Sequence, residues 1–151
     1  ELLDALATEG FDQLRLSISR AMAKHASGSV DRIVACGMGY ISFSADNPHL
    51  FAVMWAQKER QVPSGTASRA GERTYMSFLS NLANTMVQQG WEDADPMDVG
   101  APIWAMVLGY ASLVVAENRM LDPRSEVLER QVHAITRAYL SRNCITIPPR
   151  L

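Results

Sequence analysis

The side chains best suited to chemistry are few in this sequence, and they form no recognisable catalytic or metal-binding set. Glu129 and His133 lie four residues apart, which places a carboxylate and an imidazole on one face of a helix. A di-iron carboxylate bundle needs Glu-x-x-His pairs on facing helices, and the sequence contains none. We therefore interpret Glu129 and His133 as a solvated pair, and we expect neither a metal ion nor a cofactor.

Nucleophilic catalysis and phosphate binding also lack their usual motifs. The sequence has no Gly-x-Ser-x-Gly, no Gly-rich phosphate loop and no Cys-x-x-Cys. Cys36 and Cys144 lie far apart, and Cys36 falls in an apolar helical pattern that suits a small buried residue. Because the chain starts with no secretory signal, we expect both thiols to be reduced in the cytoplasm. These features argue against an enzyme.

The composition fits one soluble domain without a nucleic-acid-binding surface. The 151 residues are 48% apolar and carry a net charge of −2, so the chain can bury a core and has no basic footprint. Residues 99–116 are uncharged, which approaches the length of a membrane-spanning helix. Gly100, Pro102 and Gly109 interrupt this stretch, and no basic cluster flanks it. We expect a helix buried in protein rather than a membrane span.

The elements that carry these side chains are predicted to be helices, since apolar residues recur every three or four positions and strand-like alternation is never sustained. Within GYISFSADNPHLFAVMW, Pro48 disfavours helical geometry at Asn47 and suits the first turn of a new helix. One helix should end near Asp46, and Asn47 should cap the next through its side-chain oxygen. The prediction is an all-α domain of six helices, at residues 1–25, 30–45, 48–57, 66–89, 97–118 and 123–143.

The last two predicted helices each show two apolar faces. A helical projection puts Trp104 and Tyr110 on nearly opposite apolar sides of the fifth helix, and it gives the sixth a bulky seam beside a seam of small residues. Because one subunit cannot easily cover all these faces, we expect a homodimer through the two helices. The alternative is that earlier helices wrap both faces. The predicted interface consists of Tyr110, Leu113, Val127, Leu128, Val132, Ala134, Ile135, Ala138 and Tyr139.

Apolar and aromatic side chains from several helices make up the remaining candidate site. Such a set is either a packed core or a cavity, and composition alone leaves both open. The eight methionines are flexible enough to accept varied apolar guests, and phenol and indole groups add polar contacts typical of ligand pockets. These features favour a ligand site but leave a packed core open. The candidate residues for a site that takes a small lipophilic ligand are Met38, Phe51, Met54, Trp55, Tyr75, Phe78, Leu82, Met86, Trp104 and Leu108.

The stretch around Pro48 resembles the effector domain of tetracycline-repressor-type (TetR) transcriptional regulators, in a subgroup named for a Trp…His-Gly motif. In that group a helix of the form A-Y-x-x-F-A runs into x-x-x-P-x-L-Y/F-x-x-M-F. The subgroup's later motif falls on WAMVLGY, where Trp104 and Gly109 match and Leu108 stands in place of His. The start, ELLDALATEGFDQL, is similar to the first helix after the family's DNA-binding head. The first motif matches at Tyr40, Phe43, Pro48, Leu50, Phe51, Met54 and, as an aromatic residue, Trp55.

The resemblance implies a function as well as a fold. A helix-turn-helix domain is expected before residue 1 and is absent from this chain, so operator DNA would be contacted only through that missing part. The last two helices should form a four-helix bundle with a second subunit, and a small, mostly apolar effector should bind inside the earlier helices. Residues 1–151 are thus interpreted as the ligand-binding and dimerisation domain of a cytoplasmic regulator, a repressor. A non-regulatory helical binding or assembly module with the same bundle is the alternative.

Overall fold

The computed structural model describes residues 2–59, 65–91, 94–116 and 121–143, and within these ranges it contains six helices and no strand. The all-α prediction is confirmed. Residues 1, 117 and 118, which the predicted first and fifth helices include, lie outside the described residues. The helices are α1 (Leu2–Met22), α2 (Val30–Asp46), α3 (Pro48–Glu59), α4 (Thr66–Gln88), α5 (Pro96–Val115) and α6 (Glu126–Asn143).

Helix α2 is the centre of the domain, because it contacts each of the other five helices. Two glycines on opposite sides of α2 allow this close packing. A Cβ atom added at Gly39 would lie 3.1 Å from the Cα of Ile18 in α1. A Cβ atom added at Gly37 would lie 2.9 Å from the Cγ2 of Val107 in α5. The glycines therefore let α1 and α5 approach the α2 backbone, where larger residues would hold them away.

Polar contacts fix the turn between α1 and α2. Ser29 caps α2, and its hydroxyl accepts a hydrogen bond from the Arg32 N–H at 3.2 Å. The Arg32 guanidinium donates to the carbonyl oxygens of Met22 (2.9 Å) and His25 (3.1 Å), so a cation lies at the carboxyl end of α1. Its Nε also donates to Asn81 Oδ1 at 3.2 Å. One side chain therefore joins α1, α2 and α4.

The corner between α2 and α3 differs in one detail from the sequence prediction. Helix α3 begins at Pro48 as expected. The side-chain amide and the backbone N–H of Asn47 both donate to the Phe43 carbonyl oxygen, each at 3.0 Å. The side-chain amide of Asn47 thus caps the end of α2, whereas the sequence predicts that its side-chain oxygen caps α3. The last carbonyl groups of a helix lack N–H partners within it, and Asn47, the first residue after α2, donates to one of them.

Helix α4 begins with a cap that comes from another helix. Its N-cap residue, Gly65, has no side chain to offer. The Asp4 carboxylate in α1 instead accepts hydrogen bonds from the Thr66 hydroxyl and from the Ala67 N–H, the latter at 3.2 Å. These hydrogen bonds hold the pKa of Asp4 below its usual value of 3.8, and the bond with Thr66 has the largest effect. At the other end, Gly90 (φ 73°) closes α4, as its position in the sequence predicts.

Helices α5 and α6 each bury one stripe. The buried stripe of α5 contains Ile103 and Val107, which the helical projection puts on different apolar faces. The stripe therefore runs between those two faces. Helix α6 begins at Glu126, three residues after the predicted start at Pro123, because the Ser125 hydroxyl accepts from the Val127 N–H at 3.1 Å and caps it there. The buried stripes are Val99, Ile103, Val107 and Ala111 in α5, and Leu128, Val132, Thr136 and Leu140 in α6.

Helix α5 is long and apolar enough to cross a membrane by length and composition alone, and no other helix in the described ranges is. It contacts α2, α4 and α6, which makes it part of the helical domain. Some of its apolar side chains, Met97 (54% exposed) and Leu113 (45% exposed) among them, lie on a surface that one subunit leaves uncovered.

Candidate ligand-binding site

Six aromatic rings from four helices meet in the interior of the domain. We call them the aromatic cluster. Trp104 of α5 is its centre, with ring centroids 5.6 Å from Tyr40, 5.1 Å from Tyr75 and 5.2 Å from Phe78. Such edge-to-face and tilted pairs are favourable beyond the area they bury, so the cluster fixes how α2, α3, α4 and α5 pack together. Its members are Tyr40, Phe51, Trp55, Tyr75, Phe78 and Trp104.

The aromatic cluster forms one wall of a cavity of about 420 Å³, which we call the aromatic cavity. Tyr40, Trp55, Tyr75 and Trp104 contribute rings, and the exposed Ser68 and Glu72 bring a hydroxyl and a carboxylate to its mouth. This lining, apolar with a few polar groups, is typical of small-molecule sites. The remaining lining residues are Phe11, Gly71 and Thr74.

A hydrogen bond joins two side chains that line this cavity, Tyr40 and Trp55. Tyr40 is 3% exposed, and burial raises the pKa of its hydroxyl well above the usual value of 10.0, although a hydrogen bond with Trp55 acts in the opposite direction. An indole nitrogen can only donate, so the Trp55 N–H donates to the Tyr40 oxygen. The Tyr40 hydroxyl therefore stays protonated at physiological pH and presents a neutral polar group beside the cavity.

A second apolar space lies on the other side of Trp55. This α3–α5 groove, as we call it, has a volume of about 480 Å³. Phe51 and Trp55 line it from α3, and Leu108 lines it from α5. Ser112 supplies its one hydroxyl among the described lining residues. The others are Ala52, Val115 and Ala116. Trp55 thus belongs to the linings of both spaces.

Another depression, of about 630 Å³, lies between α1 and α2 and is a weaker candidate. Arg20, Lys24 and Asp46 contribute charged side chains to its lining, and it contains no member of the aromatic cluster. Met38, which the sequence assigns to the ligand site, lines this depression and not the aromatic cavity. The structure therefore places Met38 apart from the other predicted ligand residues.

The predicted ligand residues separate into three further groups. Tyr75 and Trp104 line the aromatic cavity, Phe51 and Leu108 line the α3–α5 groove, and Trp55 lines both. The remaining four are core residues with no more than 4% of their surface exposed, namely Met54, Phe78, Leu82 and Met86. A Cβ atom added at Gly10 would lie 2.7 Å from Met54 Sδ, and one at Gly100 would lie 3.2 Å from Leu82 and Phe78. These contacts show that Met54 packs on α1 and that Leu82 and Phe78 pack on α5.

Sequence reasoning missed several lining residues. Phe11 falls on the apolar face of α1, which is typical of a core residue, and Ser68 and Glu72 are ordinary surface residues by type. Gly71 lies on the same face of α4 as Tyr75 and Phe78, four and seven residues further on. A Cβ atom added at Gly71 would lie 3.1 Å from the Phe11 ring, so the glycine makes room for Phe11. A glycine on an otherwise bulky face was the available sign of this close approach.

The described parts of α5 and α6 also leave an uncovered face, which we call the α5–α6 outer face. Leu113, Val127 and Ile135 are 45%, 51% and 46% exposed. A Cβ atom added at Gly109 would meet nothing within 4 Å. The structure buries Leu128 (2% exposed) and Val132 (1% exposed) inside the subunit, so these two predicted interface residues belong to its core. Tyr110 and Tyr139 are partly buried, and the small members Ala101, Ala105, Ala134 and Ala138 are exposed.

Together these features define a class of protein: an all-α domain with an aromatic cavity between its helices and an uncovered apolar face on its last two. Residues 33–135 match the family model described as "Tetracyclin repressor-like, C-terminal domain", and the chain belongs to that family. The resemblance to the effector domain of tetracycline-repressor-type regulators is confirmed at the level of this family.

One solved structure supports the same fold. It is that of a protein with unknown function from Rhodococcus sp. RHA1, which superimposes with a TM-score of 0.76 at 26% sequence identity. The match covers 95% of this chain and 72% of that chain. No curated protein sequence matches the chain significantly.

Proposed function

We propose that this chain is the ligand-binding and dimerisation domain of a TetR-type transcriptional regulator, a cytoplasmic repressor that a small, mostly apolar ligand releases from DNA. The aromatic cavity is the observation that carries this proposal. A space of about 420 Å³ beside the aromatic cluster, in a domain of this family, supports the binding of a small ligand. The domain acts by binding and not by catalysis.

The partner in this proposal is a second copy of the chain. The α5–α6 outer face combines exposed apolar side chains with small residues that let helices approach closely, and it lies on the two helices that bundle in the family. An isologous contact would cover Leu113, Val127 and Ile135 in both subunits at once. Burying these side chains supplies the hydrophobic driving force for association.

The ligand acts as a switch by changing the distance between two DNA-binding heads. The helices around the aromatic cavity include α4 and α5, and α5 also contributes to the proposed dimer contact. A ligand that binds one arrangement of these helices more tightly than the other shifts the population toward it. Half-sites on DNA are spaced by about one helical turn, so a change in head spacing alters affinity for the operator.

The test uses the full-length protein, including the residues encoded before Glu1. We expect those residues to contain a helix-turn-helix domain, and the full-length dimer to retard its operator in a gel until ligand is added. Residues 1–151 alone should give no sequence-specific retardation, since their net charge is −2. Specific DNA binding by residues 1–151, or an upstream region without any helix-turn-helix, would contradict the proposal.

A further inference from the structure

The aromatic cavity and the α3–α5 groove share a single partition. Trp55 lines both spaces, whose volumes are about 420 and 480 Å³. Phe51, which lines the groove alone, packs on Trp55, with ring centroids 6.1 Å apart. Phe51 is 4% exposed and locked against Tyr40, whereas Trp55 is only partly buried. Of these two rings, Trp55 is the less enclosed.

The two spaces differ in the polarity of the side chains that line them. The mouth of the aromatic cavity carries the Ser68 hydroxyl and the Glu72 carboxylate. Beyond Trp55, the groove is lined by Ala52, Leu108 and Val115, with Ser112 as its hydroxyl. A ligand that spanned both would place a polar end at α4 and an apolar end between α3 and α5.

We propose that the two spaces are halves of one elongated site for a neutral amphiphile with a long aliphatic chain, and that Trp55 is the gate between them. The inference rests on the proposed function and specifies its ligand. The polar head lies near Ser68 and Glu72, where a hydroxyl can donate to the carboxylate and an anionic head would be repelled. The chain passes Trp55 and continues along Leu108 in the groove.

The hydrogen bond from Trp55 to Tyr40 sets the resting position of the gate. In this proposal it holds the indole across the opening when only the aromatic cavity is occupied. A chain long enough to reach the groove gains apolar contact there, and that gain offsets the loss of one hydrogen bond. Short ligands therefore fill one half, and long ligands fill both.

The experiment is a calorimetric titration of the protein with straight-chain primary alcohols of about eight to about sixteen carbons. In the unmodified chain, affinity should rise about fourfold per added methylene, the factor that corresponds to about 0.8 kcal/mol. Ala52→Phe narrows the groove alone. It should leave the short alcohols unaffected and abolish the gain from the last methylenes of the long ones.

Matched variants show whether the effect belongs to the groove. Ala56 is exposed on the same helix and lines neither space, so Ala56→Phe should behave as the unmodified chain does. Ser68→Phe should weaken every alcohol, whereas Ser80→Phe, exposed on the same helix, should weaken none. Matched carboxylic acids at pH 7 should bind at least tenfold more weakly than the alcohols.

The outcomes separate the two proposals. If Ala52→Phe and the unmodified chain show the same dependence on chain length, the aliphatic chain does not enter the groove, and the inference fails while the ligand-binding function stands. If the carboxylic acids bind as tightly as the alcohols, the placement of the head is wrong. If no alcohol binds to the folded protein at its solubility limit, the apolar ligand of the proposed function fails as well.

Discussion

The Trp55 indole donates a hydrogen bond to the Tyr40 hydroxyl, which joins the second turn of α3 to the middle of α2. We expect Tyr40→Phe to lower the free energy of unfolding by about 1 kcal/mol, because the partly buried indole N–H loses its acceptor. Urea denaturation measures this loss. Tyr75→Phe is the matched control, since Tyr75 is partly exposed and its hydroxyl has no hydrogen bond to another of the described residues; a loss equal in both variants would contradict the assignment.

Leu108 occupies the position where the subgroup with the Trp…His-Gly motif has His. It lines the α3–α5 groove. Leu108→Ala should weaken a ligand that reaches the groove by about 1–3 kcal/mol through lost apolar contact. Calorimetry at several pH values measures both this loss and its pH dependence. Because no described lining residue of either space is a histidine, affinity should stay flat between about pH 6 and 8. A tenfold change over that interval would mean that a titrating group contacts the ligand.

Ala134 lies on the α5–α6 outer face and is exposed in one subunit. Ala134→Arg should bury an unpaired charge in the proposed dimer contact and weaken association by about 3 kcal/mol or more. Sedimentation velocity at micromolar concentration measures the change. Ala5→Arg, at an exposed position of α1, should leave the dimer intact. A monomer in the unmodified chain would remove the basis of this prediction.

Asp4 caps α4 from α1, and its hydrogen bonds lower its pKa in the folded state. The stabilisation is present above the ordinary pKa of an aspartate and is lost as pH falls through the lower folded-state value. Asp4→Asn should therefore be less stable than the unmodified chain at pH 7, and the two should converge in acid. Thermal unfolding between about pH 7 and 3 follows this. Asp12→Asn, which removes an exposed pair with Arg15, should show a smaller difference.

Thr136 is 1% exposed, and its hydroxyl has no hydrogen-bond partner among the described residues. Thr136→Val keeps the shape and removes the unsatisfied group, so the free energy of unfolding should rise by about 1 kcal/mol. Thr85→Val should have the opposite effect, since the Thr85 hydroxyl donates to the Asn81 carbonyl at 3.0 Å. Urea denaturation of both variants gives the comparison. A destabilised Thr136→Val variant would indicate that the hydroxyl has a partner.

Local features of the chain were predictable from sequence because their causes lie within a few residues. Apolar residues at steps of three and four predict the core face of α1, and the structure buries Ala7, Phe11, Leu14, Ile18 and Met22 on that face. Pro48 predicts the start of α3 through its effect on one neighbouring residue. Errors also came at this scale, where two residues compete for one role: Ser125, and not Pro123, sets the start of α6.

What the sequence alone left open was which side of each helix faces which neighbour. The helical projection of α5 shows apolar residues on nearly every side. It therefore does not show that Val107 packs against α2 while Leu108 lines the groove. The same ambiguity put Met38 with Trp104, although they lie in different parts of the molecule. An apolar side chain has the same type whether it fills a core, lines a cavity or meets a second subunit. Only the packing of helices distant in sequence, through contacts such as those at Gly37 and Gly39, decides between these roles.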